Sequence, residues 1–546
     1  MASHSSAELG SYTNPILTGF NPDPTIVRVG EDYFLATSTF EYFPGVPIYH
    51  SRDLIKWELI GHALNRRSQL DIRTPEPGGG IWAPTLRYHK GTFYLATCSF
   101  DRYRPQPDER VWPMGFYVKT DDIWNEKSWS EPVYFDQIGF DQDLFWDDDD
   151  TCYLSTTYRM RGRTPGLKIK DFAIHASTID IETGACTSSP RLLRSSNSGV
   201  SEGSHLFKRG KYYYLFTAEG GTESGHSEWV HRSDKSPFGP WEGCPTNPLW
   251  RNTTEDEVQN TGHADLVEDP QGRWWAVFLG VRPVKKDEGW DVSIFGRETF
   301  LVPVTWEDDW PIFNGGQKAA LTGSGPGMYR LQRTKAWRDD FEKPELQLGW
   351  YRKNVPFKKD YSLEERPGYL RLYGAAYTLS TPTCPTLLLR KQYERQTTWR
   401  TQLSFKPSSP FVEAGTAVYW NYYTFSSIGV RLASDGSGDL MVRFTPADGK
   451  IVEKKLSSRN AEIQFMIECN NDYRFGYRET ARDPGETNEK EAVPWHYLGS
   501  VANHIMTRDP PIGAPFTGMM IGLYAIGENE PCTVPADFKF AEFRPA

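Results

Sequence analysis

Clustered basic residues are missing from this sequence of 546 residues. Its 61 lysines and arginines are outnumbered by 71 aspartates and glutamates, which gives a formal net charge of −10 at pH 7. Nucleic-acid binding depends on grouped lysine and arginine side chains that neutralise phosphates, and no basic stripe appears along the chain. The charge balance therefore predicts that no nucleic acid is a partner.

Cysteine pairs and long apolar runs are missing as well. The seven cysteines are widely dispersed and form no Cys-x-x-Cys pair of the kind found in zinc or redox sites, so we expect free, mostly buried thiols. No stretch approaches the roughly 18 apolar residues of a membrane span, and the first residues lack the apolar run of a signal peptide. We expect no membrane association, and a cytoplasmic location as the sequence is written, or secretion if a leader was removed.

Sustained helical periodicity is absent between Asn14 and about Trp310, whereas aromatic residues make up 14% of the chain. Aromatic side chains favour strands, and their flat apolar faces can stack on sugar rings. This composition predicts an all-β protein. It suits a carbohydrate partner and an ordinary aromatic core equally well, so the partner has to be argued from motifs.

A repeat of about sixty residues organises the first part of the chain. Five aromatic-rich segments align on residues that stand 60, 59, 61 and 61 positions apart: Leu35, Leu95, Leu154, Leu215 and Ala276. Each follows a turn containing Gly or Asp and an earlier short apolar strand, which is the pattern of a hairpin. Sixty residues accommodate four short strands, or one propeller blade. We therefore predict a five-bladed β-propeller over residues 14–313.

The repeat stops in a glycine-rich stretch, and a different pattern follows. Residues 314–335 are predicted to be a linker. Beyond them, apolar and polar residues alternate, as in the segment WRTQLSF at 399–405, with turn residues between the runs. This pattern favours a C-terminal β-sandwich over residues 336–546.

One position repeats in all five blades, three or four residues before the first apolar strand residue. The residues found there are Asp23, Trp82, Asp141, Glu202 and His263. Because the innermost strands of a propeller all start at the same end of the central channel, we expect these side chains to converge on one small region.

Three acids in one place suit the cleavage of a glycosidic bond. One carboxylic acid must protonate the leaving oxygen, while another carboxylate activates water or attacks the anomeric carbon. Trp82 is read either as a platform for the sugar or as a core residue. His263 is read either as a ligand of a central ion or as a residue with no metal, since no Cys or His stands near it at ligand spacing.

These residues lie in motifs that closely resemble glycoside hydrolase family 43, in particular its two-domain β-xylosidases and α-L-arabinofuranosidases. The matching stretches are NPILTGFNPDP (14–24), STFEYFPGVPIYHS (38–51), WAP (82–84), GFD (139–141), EGSHL (202–206), GHA (262–264) and GRET (296–299), with a looser match at RPGYLRL (366–372) and FTG (516–518). One departure is Gln142-Asp143, which brings a second carboxylate close to Asp141 and leaves open which of the two aspartates faces the channel.

The resemblance implies an inverting, exo-acting mechanism with three catalytic carboxylates. Asp23 would be the general base, Glu202 the general acid, and Asp141 the residue that orients Glu202 and tunes its pKa. The residues implied to line the pocket are Phe40, Trp82, His263, Arg297 and, from the C-terminal domain, Phe516. No cofactor is required, although certain relatives hold a structural calcium ion in the channel near the equivalent of His263.

The function expected from the resemblance is release of a terminal β-D-xylose or α-L-arabinofuranose from xylooligosaccharides, xylan or arabinoxylan. Two alternatives stay open: a propeller lectin that binds sugar without cutting it, and an endo-arabinanase. Three acids at the centre favour catalysis over a lectin, because mere binding has no use for a carboxyl group with a raised pKa. The sequence predicts no particular oligomeric state.

Overall fold

The structure is a computed structural model that describes residues 9–103, 112–160, 171–326, 336–457, 462–480 and 493–545. The chain divides into two units, Met1–Gln332 and Arg333–Ala546. Strands make up both units, and no helix within the described ranges is long and apolar enough to cross a membrane. The prediction of an all-β protein is confirmed.

Five consecutive antiparallel sheets make up the first unit, and each is one blade. The strands of blade 1 are Thr25–Val29, Asp32–Ala36, Gly45–Ser51 and Glu58–Leu64. Those of blade 2 are Thr85–His89, Thr92–Phe100, Met114–Thr120 and Val133–Tyr134, with Gly80–Ile81 added beside the second. Blade 3 contains Phe140–Trp146, Cys152–Arg159, Phe172–Ile179 and Arg191–Ser195. Blade 4 contains Ser201–Arg209, Tyr212–Glu219, Ser227–Ser233 and Glu242–Gly243, and blade 5 contains Gln259–Glu268, Trp274–Val281, Glu298–Glu307 and Trp310–Phe313.

The innermost strands close into a ring. The first strand of each blade contacts the first strand of the next, and Gln259–Glu268 of blade 5 contacts Thr25–Val29 of blade 1. Apolar side chains of the two blades pack across this junction, including Ile26 and Leu35 against Val267 and Trp275. The five-bladed propeller predicted from the repeat is therefore confirmed.

The register explains why the repeat could be aligned from sequence. Each of the five repeat residues lies opposite the first-strand residue of its own blade, in the pairs Ile26–Leu35, Leu86–Leu95, Leu144–Leu154, Leu206–Leu215 and Leu266–Ala276. All five second-strand members are fully buried. The same packing requirement thus recurs in every blade and preserves an apolar residue at the same point.

Smaller elements complete the first unit. They are the strands Leu9–Thr13, Tyr42–Phe43, Val284–Lys285, Trp290–Asp291 and Thr322–Pro326, and the 3-10 helices Glu126–Ser128 and Asn314–Gly316. Within the stretch predicted as a linker, Thr322–Pro326 pairs with Leu9–Thr13, while residues 327–335 lie outside the described residues.

The second unit contains two large antiparallel sheets. In spatial order, the first sheet comprises Tyr361–Ser362, Leu370–Leu372, Ala536–Pro545, Thr397–Ser404, Glu462–Cys469, Asp472–Thr480 and His496–Ala502, with Trp337–Asp339 also paired to Ala536–Pro545. The second sheet comprises Thr386–Lys391, Met520–Gly527, Val412–Asn421, Thr424–Leu432, Leu440–Thr445 and Val452–Lys455. The remaining elements are the short strand Arg352–Lys353 and the helix Asn503–Met506.

The two sheets pack face to face as a β-sandwich. Trp399 of the first sheet donates its indole N–H to Thr416 Oγ1 of the second at 2.8 Å, and the rings of Phe475 and Phe444 lie 4.9 Å apart. Along Thr397–Ser404, buried and half-buried residues alternate, as the sequence pattern predicts for a strand with one face on the core. No disulfide joins any of the seven cysteines, all of which the structure describes, and all but Cys186 are buried, as expected.

Asn14 is predicted to fasten the N-terminal segment to blade 5. Its buried amide donates to Leu301 O at 2.9 Å and accepts from Leu301 N at 3.0 Å. Asn14→Ala removes both bonds and leaves buried backbone groups unsatisfied, so we expect a loss of about 2–3 kcal/mol in the free energy of unfolding. Thermal unfolding followed by circular dichroism measures it. Asn197→Ala, at an exposed position, is the matched control, and equal melting of the two variants would contradict the fastening role.

Candidate active site

The inner strands begin with an unusual backbone at the predicted site. Asp23, Asp141 and His263 have φ angles of +54°, +52° and +56°, and Glu202 is followed by Gly203 at +59°. Residues other than glycine rarely adopt this left-handed region, and such strain is concentrated at functional sites. β-Bulges also interrupt the pairing of the first strands of blades 3, 4 and 5 at these positions. A left-handed residue thus lies at three of the five positions singled out by the repeat, and directly after a fourth, Glu202.

Asp23 is buried among groups that stabilise its ionised form. Ser38 donates its hydroxyl to Oδ2 at 2.6 Å, and Arg297 donates from Nη1 to Oδ1 at 2.9 Å. His263 Nδ1 lies 3.7 Å from the same oxygen. Burial alone would raise the pKa of Asp23, but Arg297, His263 and Ser38 outweigh it and hold the pKa well below its ordinary value. Asp23 is therefore a carboxylate at neutral pH.

Asp141 has the opposite character. Its Oδ2 accepts a hydrogen bond from the backbone N–H of Gly203 at 2.8 Å, next to Glu202. Burial raises the pKa of Asp141, and the negative charges of Glu202 and Asp23 raise it further, against the opposing effect of His263. The carboxyl groups of Asp23, Asp141 and Glu202 thus interact electrostatically. The surroundings of Asp23 favour its ionised form, whereas those of Asp141 favour its protonated form.

The choice between Asp141 and Asp143 is decided by their contacts. Asp143 is fully buried and forms an ion pair with Arg87, with Nη2 and Oδ1 2.8 Å apart. Its other oxygen accepts from the backbone N–H of Leu206 at 2.7 Å. Asp141 is therefore the aspartate that interacts with Glu202 and Asp23, whereas Asp143 belongs to a separate ion pair.

His263 is fixed between blades 4 and 5. A Cβ added to Gly203 would lie 2.7 Å from His263 Cδ2, so the imidazole packs directly on that glycine. The next residue along the chain, Ala264, donates its backbone N–H to Glu228 Oε2 at 3.0 Å. Burial raises the pKa of Glu228 well above its ordinary value, which favours a neutral carboxylic acid there. Glu228 is a positioning group that the sequence analysis missed, because it lies on the third strand of blade 4.

The other predicted pocket residues lie partly together. The guanidinium of Arg297 lies 5.5 Å from the ring centroid of Phe40, and its Nη1 also donates to Thr222 Oγ1 at 3.0 Å. Trp82 donates its indole N–H to Gly78 O at 2.9 Å, and the edges of its ring meet Phe100 and Phe140. Trp82 is thus braced by aromatic neighbours while remaining half-buried.

Phe516 belongs to the second unit. It lies in an irregular stretch before the strand Met520–Gly527, with a φ of +64°. As at the inner strands of the propeller, this backbone is uncommon for a residue with a bulky side chain. The role implied for Phe516 by resemblance stays a prediction.

The channel residues do not fit the calcium ion suggested by the resemblance. Calcium takes oxygen ligands, several of them carboxylates. Among the residues that the structure describes, no three His, Cys, Asp or Glu side chains are grouped so that they could hold a metal. Three carboxylates at the inner strands instead pair with arginines: Asp23 with Arg297, and both Asp143 and Asp265 with Arg87.

Comparison with known proteins covers both units. The sequence model of glycosyl hydrolases family 43 matches residues 12–311, and that of the beta xylosidase C-terminal Concanavalin A-like domain matches residues 338–544. The chain is 36% identical to the non-reducing end alpha-L-arabinofuranosidase BoGH43B of Bacteroides ovatus over 547 residues, 98% of this chain and 95% of that protein. It is 38% identical to a xylan 1,3-beta-xylosidase of a Vibrio species over 564 residues, 97% of this chain and 98% of the relative. The solved structure of xylan beta-1,4-xylosidase from Bacillus halodurans C-125 matches with a TM-score of 0.86 at 31% identity and covers 98% of this chain and 100% of that one.

The packing of His263 on Gly203 generates a test. Gly203→Ala places a Cβ against the imidazole, and we expect it to cost about 1–3 kcal/mol beyond the backbone strain that any residue other than glycine meets at this φ. Gly210→Ala is the matched control, since Gly210 lies in the same blade at φ +58° with nothing within 4 Å of an added Cβ. Thermal unfolding compares the two variants. Equal losses would show that the close contact is not a constraint.

Proposed function

Since the chain belongs to glycosyl hydrolase family 43, we propose that it is an exo-acting, inverting glycosidase that releases a terminal pentose from the non-reducing end of xylooligosaccharides or arabinoxylan. The observation that carries the proposal is the meeting of Asp23, Asp141 and Glu202 at equivalent positions of three blades, with pKa values shifted in opposite directions at Asp23 and Asp141. Titratable groups whose surroundings drive their pKa values apart are what acid–base catalysis requires.

In this mechanism Asp23 is the general base. Its carboxylate accepts a proton from a water molecule, whose oxygen attacks the anomeric carbon of the terminal sugar. Arg297 and Ser38 hold the two oxygens of Asp23 in place, which supports a fixed orientation toward that water. Inversion needs the base and the acid about 6.5–9.5 Å apart, so that the water fits between base and sugar.

Glu202 is the general acid that donates a proton to the departing glycosidic oxygen. Asp141 accepts from the N–H of Gly203, the residue next to Glu202, and the two carboxyl groups interact electrostatically. Crowding of like charge favours retention of a proton in this pair at neutral pH. Asp141 is therefore a positioning and tuning residue, while Glu202 transfers the proton.

Phe40, Trp82, His263 and Arg297 supply the surface that binds the terminal sugar. Aromatic faces stack on sugar rings, and the guanidinium donates hydrogen bonds to hydroxyls. Relatives named as an arabinofuranosidase and as a xylosidase match this chain almost equally well, at 36% and 38% identity. We therefore include both β-D-xylose and α-L-arabinofuranose as substrates, and parallel assays of the two nitrophenyl glycosides rank them.

The catalytic roles predict the effect of removing each carboxylate. Asp23→Asn and Glu202→Gln should each lower kcat on a xylooligosaccharide at least ~10²-fold, the scale expected for loss of a positioned base or acid. The Glu202→Gln loss should shrink on a dinitrophenyl glycoside, whose leaving group needs no proton. Asp121→Asn and Glu31→Gln, at exposed positions, are the matched controls.

The same assay separates this function from its alternatives. A lectin would bind the oligosaccharide without turnover in the unmodified protein, and an endo-arabinanase would release internal fragments of arabinan rather than a single pentose. Normal turnover of both carboxylate variants on an unactivated oligosaccharide would contradict the assigned roles.

The ion pair between Arg297 and Asp23 predicts how the pH dependence of kcat/KM changes when Arg297 is replaced. Without the guanidinium, one of the groups that offset the effect of burial is lost, so the pKa of Asp23 rises. Since the base must be ionised, the acid limb of kcat/KM for Arg297→Met should move to higher pH. Arg297→Lys keeps a positive charge and should move the limb less. A limb that stays in place in the Met variant, with only KM raised, would mean that Arg297 acts on the sugar alone.

A further inference from the structure

A second set of polar side chains lies along the inner strands of the propeller, a few residues beyond the site. Each blade contributes one member, and we call the five residues the inner charge cluster: Thr25, Arg87, Asp143, His205 and Asp265. Three members are charged at neutral pH, one a cation and two anions. No step of the proposed reaction uses them.

Arg87 is at the centre of the inner charge cluster. Its Nη2 lies 2.8 Å from Asp143 Oδ1, and its Nη1 lies 2.8 Å from Asp265 Oδ2. Nη2 also lies 3.0 Å from His205 Nδ1. One guanidinium therefore joins blades 2, 3, 4 and 5.

His205 adds a polar contact to the same guanidinium. Its Nδ1 lies 3.0 Å from Arg87 Nη2 and 3.6 Å from Asp143 Oδ1. Within the inner charge cluster, Arg87 is the cation that pairs with the side chains of Asp143 and Asp265, which are 0% and 7% exposed.

The oxygens of the two carboxylates are also engaged elsewhere. Asp265 Oδ2 accepts from Thr25 Oγ1 at 2.8 Å and from the backbone N–H of Ile26 at 3.0 Å, and Asp143 Oδ2 accepts from the N–H of Leu206. Burial would raise the pKa of Asp265, but Arg87 outweighs it and lowers the value to about 2. The oxygens of both carboxylates are thus already engaged by Arg87, by Thr25 or by backbone N–H groups.

We infer that the Arg87 guanidinium supplies the positive charge that stabilises the buried carboxylates of the propeller channel, a role that a divalent metal ion would otherwise have. A guanidinium presents five donors in one plane and can bridge two carboxylates and an imidazole at once. Calcium is held largely by carboxylate and carbonyl oxygens, and the carboxylate oxygens of the inner charge cluster are already engaged by Arg87, Thr25 and backbone N–H groups. The consequence is an enzyme whose channel needs no metal.

Because of where the inner charge cluster lies, Arg87 also affects the positions of two catalytic carboxyl groups. Asp143 follows Asp141 by two residues on the inner strand of blade 3, and His205 follows Glu202 by three on that of blade 4. Arg87 therefore ties together the two strands whose starts carry Asp141 and Glu202. It is a positioning residue for the carboxylate pair and makes no contact with substrate in this role.

The unmodified protein supplies the first test. We expect purified protein treated with excess EDTA and desalted to contain far less than one calcium per chain, with a melting temperature and kcat/KM equal to those of untreated protein. Added calcium should leave melting unchanged relative to a sodium chloride control of equal ionic strength. Stoichiometric calcium whose removal lowers the melting temperature would overturn the inference.

The second test removes the Arg87 guanidinium and asks whether an added cation restores stability and activity. Arg87→Ala should melt at a lower temperature because two buried carboxylates lose their counter-ion. Guanidinium chloride, far below denaturing concentration, should then raise its melting temperature and kcat/KM, whereas sodium chloride should not. Arg52→Ala is the matched control, because Arg52 is exposed and its partner Asp32 also pairs with His50, so this variant should show no rescue.

Arg87→Lys keeps the test decisive if the alanine variant does not fold. Lysine retains the positive charge but lacks the planar guanidinium that can bridge two carboxylates. The melting temperature of this variant should therefore lie between those of the unmodified protein and Arg87→Ala, or the lysine variant should remain soluble where the alanine variant does not. Two results would overturn the inference. One is a folded Arg87→Ala variant that guanidinium does not rescue, and the other is an Arg87→Lys variant that melts at the same temperature as Arg87→Met. The metal content and melting readouts do not use glycosidase activity, so their failure is distinguishable from failure of the proposed function.

Discussion

Charge balance in the propeller channel is the constraint on which the rest of the site depends. The inner strands bring five acidic side chains into a buried region: Asp23, Asp141, Asp143, Glu202 and Asp265. Buried charges are costly unless they are paired. Arg297 pairs with the first, and Arg87 with Asp143 and Asp265. The arginines thereby stabilise the ionised forms of Asp23 and Asp265, whereas the raised pKa of Asp141 favours retention of a proton in its pair with Glu202.

The repeat explains how much of this could be predicted from sequence. Each blade buries an apolar residue at the same point of its first hairpin. The spacing of these five residues therefore predicts both the number of blades and the equivalence of their strand starts: Leu35, Leu95, Leu154, Leu215 and Ala276. From that equivalence, Asp23, Asp141 and His263 could be singled out before any contact was known, and all three share the same uncommon backbone.

Ion pairs between blades could not be predicted in the same way. Arg87 and Asp265 are far apart in sequence, and neither occupies the position at which the strand starts were compared. A weak signal existed, since Asp143 follows Asp141 and Asp265 follows His263 by the same two residues, but β-bulges at both places interrupt the regular alternation of strand faces. Glu228 had no such signal, since it reaches the backbone of Ala264 from another strand. In the C-terminal domain, alternation predicts strands but not their order in the two sheets.

Inversion at the anomeric carbon is the most direct consequence of a base and an acid on opposite sides of the bond, as opposed to a nucleophile. Proton NMR of the hydrolysis of a β-xyloside, recorded before mutarotation, measures it. If Asp23 activates water, the first sugar to appear is α-xylose. First-formed β-xylose would contradict that role and would require a covalent intermediate on Asp23.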